Sequence, residues 1–209
     1  MTTLALIRHA ENDFVRAGKL AGWTPEVHLN DHGKRQAQAL GARLANAHFT
    51  AIYSSPLERA TETADAISAN QAGLTIIFEE RLGEVRYGDW TGQRLRQLAR
   101  TRLWKTIQHN PSQARFPNGE SIREMQVRAI AAIEEIVAMH SHGLVAAISH
   151  GDVIKALVAH YAGMHLDQFQ RIVISPASIS MIGIHRAGAT IIRLNDTYHC
   201  DHMTDEQEK

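Results

Sequence analysis

The chain has 209 residues, with 22 acidic residues balancing 22 basic ones, 44% apolar positions and a single cysteine. That length suits one domain with a core of its own, and the balanced charge gives no global pull towards nucleic acid or an anionic membrane. One cysteine allows no intrachain disulfide; with no apolar run of membrane-spanning length and no basic leader before an apolar stretch, a cytoplasmic setting is expected.

Short apolar runs alternate with longer amphipathic stretches, the pattern of a mostly parallel sheet covered by helices. In chain order, Thr3 to Ile7 reads as a strand, Asp31 to Ala47 as a helix capped by Asn30, Ala51 to Ser54 as a strand and Pro56 to Ala69 as a helix. Ser55, Pro56 and Glu58 look like a capping box with proline at the first helical position. Thr75 to Phe78 is a further strand, followed by an irregular stretch, about 79–121, that holds Trp90 and Trp104 and a helix from Arg94 to Gln108. This stretch is expected to be a cap insertion over the strand ends. Ser121 and Glu124 form a second capping box before a helix to His140. Leu144 to Ser149 is a strand, Val153 to Ala162 a helix, and Ser178 to His185 and Ala189 to Leu194 a hairpin across Arg186-Ala187-Gly188. The expected architecture is α/β, in one domain over 1–203 with a polar, frayed tail at 204–209.

The chemistry-bearing residues cluster where these strands end. Arg8-His9, Arg59, Glu84 and His150-Gly151 each follow a predicted strand, so all can meet at the carboxyl edge of the sheet, where open α/β folds bind ligands. Two arginines hold a tetrahedral dianion, and a neutral imidazole attacks phosphorus without first losing a proton. Guanidinium charge nearby favours that neutral form. A second imidazole and the amides of a helix start can donate to an equatorial oxygen. Glu11 and Glu120 are weaker candidates. Trp23, Tyr87, Trp90 and Trp104 read as packing residues. No Cys-x-x-Cys pair or His-Glu-x-x-His helix is present, and Cys200 lacks a partner, so no metal site is expected.

Five ordered motifs resemble the histidine phosphatase superfamily, also called phosphoglycerate mutase-like: Leu6-Ile7-Arg8-His9-Ala10-Glu11; Ser54 to Ala60 with Thr63-Ala64; Leu82-Gly83-Glu84 with Gly88 to Gly92; Asn118-Gly119-Glu120-Ser121; and Ser149-His150-Gly151. The resemblance spans Leu4 to Leu194. It implies a three-layer α/β/α sandwich and, without metal or other cofactor, a phosphohistidine on His9. It further implies phosphoryl binding by Arg8, Arg59 and His150, and Glu84 as proton donor to the leaving alcohol and later base for water. Asn12 and Gly151 complete the candidate phosphate and substrate contacts. Ala10 replaces the family's glycine, so its backbone should avoid positive φ, and Asn12 replaces a hydroxyl residue with an amide.

Within the family, mutases resemble one another in an arginine after the acid-base glutamate and a long basic insertion. Here Val85 follows Glu84 and the region from Gly92 to Pro117 is short. The expected activity is therefore hydrolysis of a small phosphorylated metabolite, with a cofactor-dependent phosphomutase second and a non-catalytic phospho-ligand module third. The hairpin edge would suit a homodimer.

Overall fold

The structure is a computed structural model and describes residues 1–203; the expected polar tail at 204–209 lies outside the described residues. Its sheet is built from β1 (Thr2–Arg8), β2 (Phe49–Ser54), β3 (Ile76–Phe78), β4 (Gly143–Ser149), β5 (Ile179–His185) and β6 (Gly188–Asp196), in the order β3-β2-β4-β1-β5-β6. The first four strands pair in parallel, and β5 and β6 join as an antiparallel hairpin against β1. The sheet is thus mixed, with its parallel part where the site residues lie.

Period-two alternation decides which residues face which layer. Leu4, Leu6, Tyr53, Val145 and Ala147 face one core, whereas Ile7, Ile52, Ala146 and Ile148 face the other. The first core is closed by α6 (Ile122–Met139) and α7 (Gly151–Tyr161) through Met125, Ile133, Ile154 and Leu157, and the second by α2 (Asp31–Arg43) and α3 (Glu58–Ser68) through Ala37, Leu40, Ala64 and Ile67. The layers are those of a three-layer sandwich. Gly41 lets α2 and α3 cross closely, since a Cβ there would sit 2.2 Å from the Ala66 carbonyl oxygen.

Several local expectations are met, and several are corrected. Asn30 caps α2 through Gly33 N–H, and the Ser121/Glu124 capping box is complete. α2 ends at Arg43 rather than Ala47. The single helix expected from Arg94 to Gln108 is two, α4 (Leu95–Leu98) and α5 (Arg102–His109). Thr101 separates them: its hydroxyl donates to Leu98 O and accepts from Trp104 N–H, which ends one helix and caps the next. The capping box at Ser55 does not form, and α3 starts only at Glu58 with no side-chain cap. Ser55 Oγ is engaged instead by His150 Nε2 at 2.8 Å. A short helix that the sequence pattern did not signal, α1 (Asp13–Arg16), is capped by Asn12, which accepts from Val15 N–H at 2.9 Å. The last helix, α8 (Tyr198–Asp201), follows β6. Among the described residues no helix is long and apolar enough to cross a membrane.

Candidate active site

Register brings the two histidines together. β1 and β4 pair so that Arg8 lies opposite Ser149, and His9 N–H donates to Ser149 O at 2.9 Å, so both chains leave the sheet side by side with their next residues, His9 and His150, adjacent. The rings lie 5.1 Å apart between centroids. On the other flank of β4, Ser55 N–H donates to Ile148 O at 2.9 Å, and the chain passes directly into α3, which carries Arg59 in its first turn. Three neighbouring parallel strands thereby deliver Arg8, His9, Arg59, His150 and Gly151 to one edge. Glu84 arrives differently: a tight turn at Glu80–Leu82 separates it from β3.

The cavity at this edge has a volume of about 380 Å³ and is lined by Arg8, His9, Asn12, Arg59, Glu84 and Gly151 among others. His9 is buried, and its Nδ1 lies 2.7 Å from Ala10 O. A carbonyl only accepts, so Nδ1 carries the proton and Nε2 keeps its lone pair. Burial, then Arg59 and Arg8, hold the His9 pKa well below the usual histidine value. A neutral imidazole with Nε2 unprotonated has the chemistry of a nucleophile. Ala10 is fully buried, donates its N–H to Thr63 Oγ1 at 3.0 Å and stays outside the positive-φ region, as its side chain requires.

Arg8 donates from Nη1 to Ile174 O at 2.7 Å, and Arg59 from Nη2 to Gly22 O at 2.8 Å. Those bonds fix both guanidinium planes while Arg8 Nε, Arg59 Nη1 and Asn12 Nδ2 remain buried with no partner. Leaving a buried donor unpaired costs about 1–3 kcal/mol, and three such donors around one cavity, two of them on the arginines, suit an oxyanion. Asn12 does double duty, its oxygen spent on capping α1 and its NH₂ left for the pocket.

His150 is placed differently from the free donor that the sequence suggested. It is fully buried behind Arg59, which donates to its Nδ1 at 3.3 Å, while its Nε2–H meets Ser55 Oγ. In this arrangement it steadies Arg59. Burial, followed by Arg59, His9 and Arg8, lowers its pKa well below the usual value.

Glu84 is buried, and burial followed by the Asp152 charge raises its pKa, with Arg59 opposing. The shift is in the direction that favours the protonated form. Its Oε1 accepts Val85 N–H at 2.9 Å, and its Oε2 lies 3.9 Å from His150 Nδ1. The backbone beneath it is tied by a residue that the sequence pattern did not single out: Arg128 on α6 donates to the carbonyls of Arg81, Gly83 and Glu84 and pairs with Glu120 at 2.6 Å. Trp23 Nε1 donates to the same Glu84 carbonyl at 2.5 Å. Glu120 thus orients Arg128, and Glu11 accepts from Asn30 Nδ2. Tyr87, Trp90 and Trp104, expected only to pack, also line the cavity, together with Asp152 and Lys155, which had no motif to mark them.

The two buried histidines of the site contribute to a dependence of stability on pH. Their folded pKa values lie below the unfolded value of about 6.5, so the unfolded chain binds more protons as the pH falls below 6.5, and stability is lost from there towards the lowered folded values. The expected loss is up to about 1.4 kcal/mol per pH unit for each histidine. Urea unfolding at pH 7 and 5.5 measures it, and His9→Ala should make the slope shallower.

An α/β sheet whose carboxyl edge presents a buried imidazole, two buried guanidinium groups and a carboxyl of raised pKa to one cavity, with a second imidazole packed behind them, defines a phosphoryl-transfer enzyme class. The comparisons identify the family: a match to the histidine phosphatase superfamily (branch 1) spans residues 4–197, and the chain belongs to it. Phosphoserine phosphatase 1 of Hydrogenobacter thermophilus is 30% identical over 100% of this chain and 99% of that protein. The solved structure of YhfR from Bacillus stearothermophilus has a TM-score of 0.89 at 28% identity, covering 96% of this chain and 100% of that one. Phosphoserine phosphatase from Entamoeba histolytica in complex with 3-phosphoglyceric acid has a TM-score of 0.87 at 25% identity, covering 96% of this chain and 100% of that one.

Proposed function

We propose that the protein is a phosphatase that hydrolyses a small phosphomonoester through a phosphohistidine on His9. The carrying observation is the His9 imidazole, whose Nδ1–H is committed to Ala10 O, so that its Nε2 lone pair is free among the unpaired donors of Arg8, Asn12 and Arg59. In the first step Nε2 attacks phosphorus, the bond to the ester oxygen breaks, and Glu84 gives that oxygen its proton. In the second, water attacks the phosphohistidine, Glu84 takes the water proton, and phosphate leaves with neutral His9 restored. Arg8, Arg59, Asn12 and the Gly151 amide hold the equatorial oxygens, and His150 acts through Arg59.

The segment 79–121 serves in this reading as a cap, because Glu84, Tyr87, Trp90, Trp104 and Phe116 all line the cavity from it. Chain side chains carry both steps, so turnover should persist with a chelator present. The lone Cys200 supports a cytoplasmic setting. The exposed β6 edge, with Ile192 and Leu194 at the surface, supports a homodimer.

Glu84→Gln tests the acid-base assignment. An alkyl ester needs its leaving oxygen protonated and a nitrophenyl ester does not, so the burst rate with the alkyl ester should fall by about a hundredfold or more and that with the nitrophenyl ester by little. Phosphohistidine should build up on the activated ester because the base for the second step is gone. Equal losses in the burst with both esters and no trapped phosphoenzyme would remove Glu84 from the role.

A further inference from the structure

Among the described residues the Arg8 guanidinium has one hydrogen-bond acceptor, the Ile174 carbonyl, 2.7 Å from Nη1. The peptide group that carries this carbonyl also carries the Ser175 N–H, which donates to Asn195 Oδ1 at 2.5 Å. An N–H only donates, so the Asn195 oxygen faces it, and the amide nitrogen of Asn195 donates to Ser175 Oγ at 3.3 Å. A peptide group is planar and stiff, so holding its N–H fixes the direction of its C=O. Arg8 and Asn195 thus grip opposite ends of one planar group, and hydrogen bonds joined in such a chain polarise and strengthen one another.

The segment that follows needs such a hold. Ser178 N–H donates to Ser175 O at 3.1 Å, closing a turn with Pro176 and Ala177 at its centre. Ala177 is buried at a φ of 57°, where a turn ordinarily places glycine, so the backbone is strained there. Strain of this kind persists only where the surroundings over-determine it. On one side the turn holds the backbone of both site residues, since Ala177 N–H donates to His9 O at 3.3 Å and Ser178 O accepts from Arg8 N–H at 3.2 Å. On the other side Asn195 holds it. Asn195 stands near the end of β6, outside the cavity lining, at a φ of 49° that asparagine tolerates better than most residues, and its own N–H donates to Ser180 Oγ at 3.1 Å.

We propose that Asn195 is a positioning residue for the phosphoryl site: through the Ile174–Ser175 peptide it sets the direction of the Arg8 guanidinium, and with it the hold of Arg8 on a phosphoryl oxygen. Its effect on turnover rests on the phosphatase reading, and its effect on oxyanion binding stands apart from that reading.

The test is a mutant cycle read by the calorimetric Kd for inorganic phosphate and by kcat/KM for p-nitrophenyl phosphate. Asn195→Gly removes the carboxamide and suits the positive φ. Both readouts should worsen by about tenfold in the wild-type background, less than for Arg8→Ala because the guanidinium is misdirected rather than absent. In an Arg8→Ala background the same change should cost less than about twofold, and in an Arg59→Ala background about tenfold again. General loosening of the fold would instead cost the same factor in all three backgrounds. Asn195→Ala reads the same cycle should the glycine variant fold poorly. A loss below about twofold in the wild-type background, or an equal loss with and without Arg8, overturns the proposal. The expected pattern in the phosphate Kd, in a protein that releases no phosphate from p-nitrophenyl phosphate, keeps the positioning role and overturns the phosphatase reading instead.

Discussion

His9→Ala is expected to abolish turnover, with kcat down by at least about a thousandfold, and to eliminate the acid-labile, base-stable phosphate that the quenched wild type should carry. No other imidazole can substitute. His150 is the nearest, and both of its nitrogens are occupied, one by Arg59 and the other by Ser55. The fold should survive, because the His9 side chain makes one hydrogen bond, to the neighbouring Ala10 carbonyl, and the sheet pairing beneath it runs through backbone. Phosphate release from p-nitrophenyl phosphate and trapping of labelled phosphoenzyme measure the two effects. Activity within tenfold of wild type would sink the covalent mechanism.

Arg59→Ala should lower kcat/KM by about a hundredfold or more, since removing one preorganised donor from a developing phosphoryl charge costs on the order of 3 kcal/mol. Arg59 is nearly fully buried, spans from Gly22 O to His150 and keeps Nη1 for the ligand, so its loss also frees His150. Arg8→Ala should cost a similar factor. The double variant should lose less than the product of the two, because both hold one phosphoryl group. Steady-state kinetics on the three variants decides this, and a loss below threefold for either single change would place that arginine outside the pocket.

Much of the fold was legible because the local signals agree with the global arrangement. The caps at Asn30 and Ser121 rest on interactions within a few residues, and the strands ending at Ser54 and Ser149 on short apolar runs, both of which sequence pattern can report. One misreading occurs where a distant group takes over a local one. Ser55 has the form of a helix cap, yet His150, 95 positions away, takes its hydroxyl. Thr101 breaks the helix expected from Arg94 because its hydroxyl serves both helix ends at once.

The same division runs through the site. That Arg8, His9, Arg59, Glu84, His150 and Gly151 gather at one edge of the sheet could be read from the sequence because their motifs lie at element ends. Asp152, Lys155 and Arg128 stand on helices whose pattern shows only an amphipathic face, so nothing local distinguishes them from solvent-exposed charges. The sequence by itself determined the kinds of chemistry available and the elements that carry them. Only the tertiary structure decided their state: the parallel register of β1 and β4 sets two histidines 5.1 Å apart, and burial among arginines keeps both neutral. Burial beside Asp152 favours the proton on Glu84, because charge is costly where water is excluded and the balance is set by neighbours brought in from other strands and helices.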